Sequence, residues 1–379
     1  MTSLSRKEFL HLIAVGLGTL VGGRFLAACE NLPTVPATTQ SPSNSPTNNR
    51  APTDVPTDTP TVIPASSPAA TITSMHQPIR RSDIIKFFPT VPSRVVHTHH
   101  RGVWDGDTLQ PEALRQMLDV SITKLTGLPD AISAWRALFA PNERIAIKVN
   151  TLQYGSFWTH VPLVMAVAER LQAAGVPAGQ IIVYDRSSND LARGGFTINK
   201  DGPAVRCYGT DLNYESRWKI ADTRIGLSNI LLNCDALINI PILKTHSMDG
   251  AGMSFALKNH YGTFDQPQNF HYDKLLQGLP QLNALPPIKE RTRLIVGDAL
   301  KIVKDSWYSA FDSDFICMSF DPVAHDALGL QVLNAVQEAN GSATGPTRQR
   351  ADAWLKNAAA LGLGTDQMAN IEFLEETLS

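Results

Sequence analysis

Short apolar runs alternate with stretches of helical periodicity in this chain, and this alternation restricts the fold more than any other feature. We predict strands at residues 144–149, 180–184, 235–240, 294–297 and 315–320. Helices should follow the first strand, with Pro162 in the first turn, and the last strand, where Asp321 caps and Pro322 begins the helix. This order predicts an α/β fold, with a largely parallel sheet and flanking helices.

Polar residues follow the predicted strands at their carboxyl ends. They are Asn150, Asp185, Lys244, Asp298 and Asp321. Because open α/β sheets bind ligands at that edge, we interpret these five as ligand-binding residues of one cleft. For each residue alone, a helix cap or a solvated loop is the alternative interpretation.

Residues 239–262 hold the densest group of chemically active side chains. Lys244 and His246 lead into a glycine-rich turn, and Lys258 and Asn259 follow it. Lysine provides a point charge, glycine lets backbone amides approach a ligand, and histidine transfers protons near neutral pH. We therefore predict a site for a small anionic ligand, with His246 and Lys258 as catalytic residues and Lys244 and Asn259 as binding residues.

Histidines elsewhere allow a second interpretation, the binding of a transition metal. His97, His99 and His100 lie within four residues of one another. In an extended chain the first two face one side and His100 faces the other, so a solvated loop is the alternative to a metal site. His325 and Asp326 are interpreted as a helix cap and surface residues.

Composition and missing motifs exclude several classes of protein. The net charge is −2 and no basic patch is evident, so we expect no nucleic-acid partner. The sequence has no Gly-x-Ser-x-Gly elbow, no P-loop, no His-Glu-x-x-His and no Gly-x-Gly-x-x-Gly after a strand. Serine hydrolase, nucleotidase and zinc-peptidase functions are therefore without support from motifs.

The first 28 residues have the basic start, apolar middle and small-residue end of an export signal. Residues 26–29, Leu-Ala-Ala-Cys, resemble the bacterial lipobox, in which the cysteine is lipidated and becomes the mature N-terminus. Residues 5–10 resemble a twin-arginine signal with Lys7 in place of the second arginine, which leaves the export route open. We expect an exported lipoprotein anchored through Cys29 to membrane lipid on the extracytoplasmic face. A plain N-terminal anchor helix is the alternative.

A linker rich in proline, threonine and serine follows, over residues 29–74. Residues 31–73 contain nine of the 25 prolines and ten threonines but only three charged residues. Such a segment buries too little apolar surface to offset the entropy of ordering it. We predict a disordered tether before a single α/β domain at residues 75–379.

The remaining cysteines are far apart in the sequence. Cys207, Cys234 and Cys317 allow one disulfide and leave one thiol. The alternative is that isolated cysteines in apolar strands, as Cys234 and Cys317 are predicted to be, are core residues. No pair has the spacing of a zinc or iron–sulfur site, so we predict no iron–sulfur cofactor.

The stretch from Asp235 to His246, with Gly250, residues 257–259 and Gly262, resembles the signature of the family called domain of unknown function 362. Residues 145–150, which include Lys148, residues 297–298 and residues 321–324 also match its pattern, so the similarity covers about residues 140–335. The resemblance adds Lys148 to the predicted ligand-binding residues. Many relatives carry a Cys-x-x-Cys iron–sulfur segment, which is missing here.

The order His246, Gly250, Gly252, Lys258 and His271 is more distantly similar to the core of nickel-pincer lactate racemases. This resemblance implies that Lys258 tethers a cofactor, His271 ligates a metal and His246 acts as acid and base. Met253 and the two residues after it replace the small-residue turn of those enzymes. The similarity therefore implies a shared cleft more than shared chemistry.

Two functional hypotheses follow. In the first, the protein is an extracytoplasmic enzyme that acts on a small anion, with or without a metal. In the second, it is a non-catalytic surface protein that binds a metal or an anion. The enzyme is favoured because charged residues of both signs and a histidine meet at one predicted edge of the sheet.

Overall fold

The computed structural model describes residues 92–379, apart from residues 153–156, 247–249, 306–308 and 342. The predicted export signal, Cys29, the linker and the first part of the predicted domain lie outside the described residues. All described residues belong to one compact unit.

Helices and strands are labelled in chain order. The helices are α1 Pro111–Thr126, α2 Ala131–Leu138, α3 Val161–Ala173, α4 Ser188–Arg193, α5 Asn229–Leu232, α6 Ala256–Asn259, α7 Leu275–Ala284, α8 Pro286–Lys289, α9 Pro322–Ala339 and α10 Gly345–Ala360. The strands are β1 Ser93–His100, β2 Trp104–Asp105, β3 Thr108–Leu109, β4 Ile145–Val149, β5 Ile181–Tyr184, β6 Arg206–Cys207, β7 Tyr214–Ile220, β8 Thr223–Ser228, β9 Ala236–Ile240, β10 Ile242–His246, β11 Gly252–Ser254, β12 Thr292–Asp305, β13 Ser309–Ser319 and β14 Ile371–Leu378.

A ten-stranded mixed sheet organises the fold, in the order β14-β1-β13-β12-β9-β4-β5-β6, with β10 beside β12 and β11 beside β10. Most neighbouring strands are parallel; β13 is antiparallel to β1 and β12, and β11 to β10. Parallel neighbours need crossover connections, and α3 is the connection between β4 and β5. The predicted α/β class, with a largely parallel sheet and flanking helices, is confirmed.

The sheet separates two layers of helices. Ile145, Ile147 and Val149 of β4 pack in the core that includes α1, α2 and α3. Ala146 packs in the opposite core, with residues of α7, α9 and α10. Because side chains alternate along a strand, Lys148 lies on the same face as Ala146, which is the face that α6 covers.

The prediction that the polar residues after the strands share one edge is wrong for Asp321, whereas Asp298 lies at that edge, beside Pro241 after β9, but does not follow a strand. The strand predicted at 294–297 is part of the 14-residue β12, so Asp298 lies inside a strand. β13 returns antiparallel, with Ser319 opposite Ile295. Asp321 therefore lies toward the edge where the parallel strands begin, away from Asn150 and Asp185.

The three histidines near the start of the described region lie in β1, so the solvated-loop interpretation is wrong. His97 is buried between the rings of Phe315 and Phe373. His99 contacts Asp314 and Glu375, whereas His100 contacts Gln116 of α1. These contacts place His97 and His99 on one face and His100 on the other, as the strand period requires.

The interpretation of His325 and Asp326 as surface residues is also wrong. Both side chains are fully buried, because α9 packs between the sheet and α10. The three described cysteines are buried and free of disulfides, in agreement with the interpretation of Cys234 and Cys317 as core residues. No helix in the described part of the chain is long and apolar enough to cross a membrane.

Candidate functional site

A cleft of about 360 Å³ opens at the carboxyl ends of β4 and β5. Its walls come from these ends, from β10 and β11, from α6 and from the turns at residues 261–272. Eight of the ten residues predicted for catalysis, ligand binding or metal binding line it, namely Lys148, Asn150, Asp185, Lys244, His246, Lys258, Asn259 and His271.

A buried ion pair forms one wall of the cleft. Lys148 Nζ lies 2.6 Å from Asp185 Oδ1, and their side chains are 1% and 2% exposed. Asp185 also accepts hydrogen bonds from the Thr151 amide and hydroxyl and from the Arg186 amide. Burial lowers the pKa of Lys148, and the neighbouring Asp185 carboxylate opposes that shift. The carboxylate is thus held by four donors, and the pair orients the ends of two adjacent strands.

Gly262 permits the turn after α6 to approach this pair. A Cβ atom at Gly262 would lie 2.7 Å from Lys148 Nζ and would overlap the Asp185 carboxylate. Only glycine therefore fits between the turn and the ion pair. This close approach explains physically why a glycine follows the Lys-Asn-His-Tyr segment.

Buried amides connect the ion pair to α6. Asn259 donates to the carbonyl of Lys148 at 3.2 Å and to Asn239 Oδ1 at 2.7 Å. Asn239 in turn donates to the Ala256 carbonyl at 2.8 Å and lies 3.4 Å from His260 Nε2. Burial, assisted by the positive charge of Lys148, lowers the pKa of His260 to about 3. His260 is therefore a neutral structural group at physiological pH.

The amino end of α6 is held by Asp326 of α9. Its carboxylate accepts hydrogen bonds from the backbone amides of Ala256 and Leu257 at 2.7 and 2.9 Å. The first backbone amides of a helix have no hydrogen-bond partner within the helix, and a carboxylate at this position supplies one. Lys258 of this short helix is 6% exposed, and its Nζ lies 4.3 Å from the centroid of the Tyr261 ring. The anchored helix thus positions a buried cation in the cleft.

The β10–β11 hairpin adds two further polar side chains to the cleft, Lys244 and His246. Lys244 and His246 are two residues apart on β10, so both project to one face of the strand. Lys244 Nζ donates to Asn150 Oδ1 at 2.9 Å. The Asn150 backbone makes two hydrogen bonds with Thr159, which hold the end of β4 close to the start of α3. Lys244 is thereby directed toward the end of β4.

His271 lines the cleft beside an aromatic ring. Its ring lies parallel to that of Tyr261, with a centroid separation of 6.2 Å. Among the described residues, no group of three or more His, Cys, Asp or Glu side chains could hold a metal ion. The metal assigned to His271 stays a prediction from the sequence, and the described geometry adds no partner ligands to it.

The two aspartates outside the cleft have structural roles. Asp298 is fully buried, and its carboxylate accepts hydrogen bonds from the His160 amide and from its ring Nδ1, both at 2.8 Å. His160 precedes α3, so this contact fixes the start of that helix. Asp321 caps α9 by accepting from the Val323 and Ala324 amides.

Several lining residues were missed by the sequence analysis. Arg186 directly follows Asp185 after β5 and could have been included by the same rule. Tyr261, Tyr272 and Phe157 also line the cleft, but isolated aromatic residues carry no periodic signal. Their roles become visible only when the turns around α6 are folded against the sheet.

Positive charge predominates in the described lining. Four basic side chains (Lys148, Arg186, Lys244 and Lys258) line the cleft, but only one carboxylate, Asp185. Charges in a partly enclosed cleft interact more strongly than in water, because the effective dielectric constant is lower. The cleft therefore favours a negatively charged ligand, and His246 adds an imidazole, a side chain that can serve as a general acid or base.

Comparison with known proteins identifies one matching protein family. The family model described as Domain of unknown function (DUF362) matches residues 145–331, in agreement with the resemblance at about residues 140–335. No curated protein matches the chain. The similarity to nickel-pincer lactate racemases therefore stays a prediction from the sequence.

We predict that His260 makes stability depend on pH. Its pKa is 6.5 in the unfolded chain and about 3 in the folded protein, so the unfolded state binds more protons between these values and stability falls as pH falls. At pH 5 the expected loss from this residue is about 2 kcal/mol. Urea unfolding of wild type and His260→Gln at pH 7 and pH 5 tests this. The variant should lose about 2 kcal/mol less than wild type, and equal losses would contradict the prediction.

Proposed function

The chain belongs, through residues 145–331, to the family described as Domain of unknown function (DUF362), and since that description names no activity, we propose a function from the cleft: it binds a small anionic ligand and transfers a proton to or from it. The observation that carries the proposal is the charge of the lining, in which the described residues place four basic side chains and one carboxylate around about 360 Å³. A cavity of this size suits a small molecule.

In this proposal each group has a separate role. Lys244 and Lys258 bind the negative charge of the ligand, and Asn150 and Asn259 supply neutral polar contacts. Lys148 and Asp185 hold the strand ends, so that the binding groups are already oriented before the ligand arrives. His246 is the acid and base, because an imidazole can donate and accept a proton through its ring nitrogens.

A non-catalytic binding protein is the second candidate. It would use the same basic residues without a proton-transfer step. The feature that favours catalysis is His246, which lies two residues from Lys244 on β10 and lines the same cleft. A ligand held by Lys244 would then lie within reach of the imidazole.

We also propose that the protein is an exported lipoprotein. The lipobox-like segment at residues 26–29 supports lipidation of Cys29, and the proline- and threonine-rich residues that follow support a tether. The domain would then act on a ligand outside the cytoplasm while remaining attached to the membrane surface.

Anion binding should stabilise the protein, and Lys258 should be required for it. Thermal and urea unfolding are measured with acetate, lactate or phosphate, against sodium chloride of equal ionic strength. A ligand at 100 times its Kd stabilises by about 2.7 kcal/mol. Lys258→Met should weaken binding at least tenfold, which removes about 1.4 kcal/mol of that stabilisation.

The matched control for this series is Lys124→Met. Lys124 lies in α1, outside the cleft lining, and its side chain is 47% exposed in an ion pair with Glu376. This variant should respond to anions as the wild type does. Equal responses of Lys258→Met and Lys124→Met would overturn the proposed binding site.

Catalysis is distinguished from binding by His246→Gln. Wild-type protein is incubated in D₂O with 2-hydroxy and 2-keto acids, and proton NMR follows exchange of the carbon-bound hydrogens. We expect exchange with wild type and at least a 100-fold slower rate with His246→Gln, since general acid–base catalysis contributes about 10²–10⁴-fold. Anion-dependent stabilisation without exchange in the wild type would favour the binding protein.

Cys29→Ala tests the location. In the producing bacterium, wild-type protein should sediment with membranes and carry the added mass of lipid on Cys29. The variant should lose that mass and move to the soluble fraction. A variant that stays in the membrane fraction would favour the plain N-terminal anchor helix.

A further inference from the structure

Three rings form a continuous row along one wall of the cleft, starting at Lys258. Lys258 Nζ lies 4.3 Å from the centroid of Tyr261. The Tyr261 and His271 rings are parallel within 6°, with centroids 6.2 Å apart. His271 and Tyr272 meet edge to face at 6.5 Å. We call Tyr261, His271 and Tyr272 the ring row.

The ring row leads from the interior to the solvent. Tyr261 is 6% exposed, His271 is half-buried and Tyr272 is 62% exposed. Tyr261 is held in place because its hydroxyl donates to the Phe270 carbonyl at 2.6 Å. The inner ring is therefore fixed beside a buried cation, whereas the outer ring keeps most of its surface available for a ligand.

The backbone of Tyr272 adopts an uncommon conformation that favours a role in ligand binding. Its φ is 56°, in the left-handed region that residues with a Cβ atom rarely adopt. Gly250 packs beside it, and a Cβ atom there would lie 3.1 Å from Tyr272 Cα. Core packing does not explain this conformation, because the side chain lies mostly outside the core. Uncommon backbone conformations of this kind are concentrated at ligand sites.

Two apolar side chains add to the surface of the cleft. Leu152, which is 46% exposed, and Phe157 come from the segment after β4 and line the same cleft. The cleft thus has a basic inner part and an aromatic outer part. A ligand that fills both parts has a negatively charged end and an unsaturated body.

We propose that the ring row is a subsite for the planar, unsaturated part of an anionic ligand, so that the ligand is an aromatic or conjugated carboxylate. The carboxylate contacts Lys258 and Lys244, and the planar part lies against Tyr272 and His271. This inference rests on the anion binding proposed above and specifies the class of ligand. Aromatic pairs gain affinity beyond the burial of apolar area, because the edge of one ring is attracted to the face of another.

Aromatic walls also bind cations, and charge decides between the two ligand classes. A cationic ligand would be attracted to the ring faces but repelled by the four basic residues of the lining. Asp185, the one carboxylate among the described lining residues, is already paired with Lys148 at 2.6 Å. The charge of the lining therefore selects a planar anion and disfavours an organic cation.

The test compares two carboxylates that differ only in unsaturation, in the ring and in the side-chain double bond. Cinnamate and 3-cyclohexylpropionate have the same carbon skeleton, but only cinnamate is planar and aromatic. Acetate is the third probe. Binding to the purified protein is measured by calorimetric titration. We expect cinnamate to bind about 2- to 10-fold more tightly than its saturated analogue, and acetate to bind weakly but measurably.

Variants of Tyr272 assign this preference to the ring row. Tyr272→Leu keeps apolar bulk and removes the ring, and Tyr272→Gly also relieves the left-handed backbone. Both should fold, because the side chain is 62% exposed, and both should bring the cinnamate preference close to one. Leu212→Ala changes a 96% exposed residue outside the cleft lining and should keep the wild-type preference.

The outcomes separate this inference from the proposed function. Equal affinity for the two ring compounds in wild type, or a preference that survives in both Tyr272 variants, would overturn the ring subsite while leaving anion binding in place. If acetate and both ring compounds fail to bind wild-type protein, the proposed anion site is wrong and the ring subsite is overturned with it.

Discussion

The buried ion pair between Lys148 and Asp185 is the interaction on which the cleft depends. Removing two charges from water is costly, and the cost is offset only when both groups are fully hydrogen-bonded. Here Lys148 also contacts the Val149 carbonyl and Asn259, and Asp185 accepts from three further donors. Satisfying these groups brings together the ends of two strands and the carboxyl end of α6.

The same requirement explains the composition around α6. The Asp326 carboxylate accepts from the two backbone amides at the start of α6. At the end of α6, the Asn259 side chain donates to the Lys148 carbonyl of β4. A four-residue helix has little stability of its own, so these tertiary contacts hold it. These contacts fix the position of Lys258. Its side chain can remain buried because it lies against the face of the Tyr261 ring and beside the polar cleft.

Local pattern predicted most of the parallel sheet and most of the candidate site. The strands that became β4, β5 and β9 were recognised because each is a short apolar run closed by a polar residue. Since these strands are parallel, the polar residues that follow them meet at one edge. The rule failed at Asp321 because β13 runs antiparallel to β12, and an apolar run does not specify the direction of its strand. Asp298 lies at the expected edge, but β12 continues beyond it and its carboxylate binds His160 outside the cleft.

The sequence by itself determined the α/β class, the family and the chemical groups of the cleft, because these depend on residue types and on periodicities over a few residues. The structure alone decided which charges are paired, that His260 and His325 are buried, and that Tyr261, His271 and Tyr272 form a row beside Lys258. The physical reason is distance along the chain. Lys148 and Asp185 are 37 residues apart, and Lys148 and Asn259 are 111 apart, so only the packing of distant segments brings their side chains together.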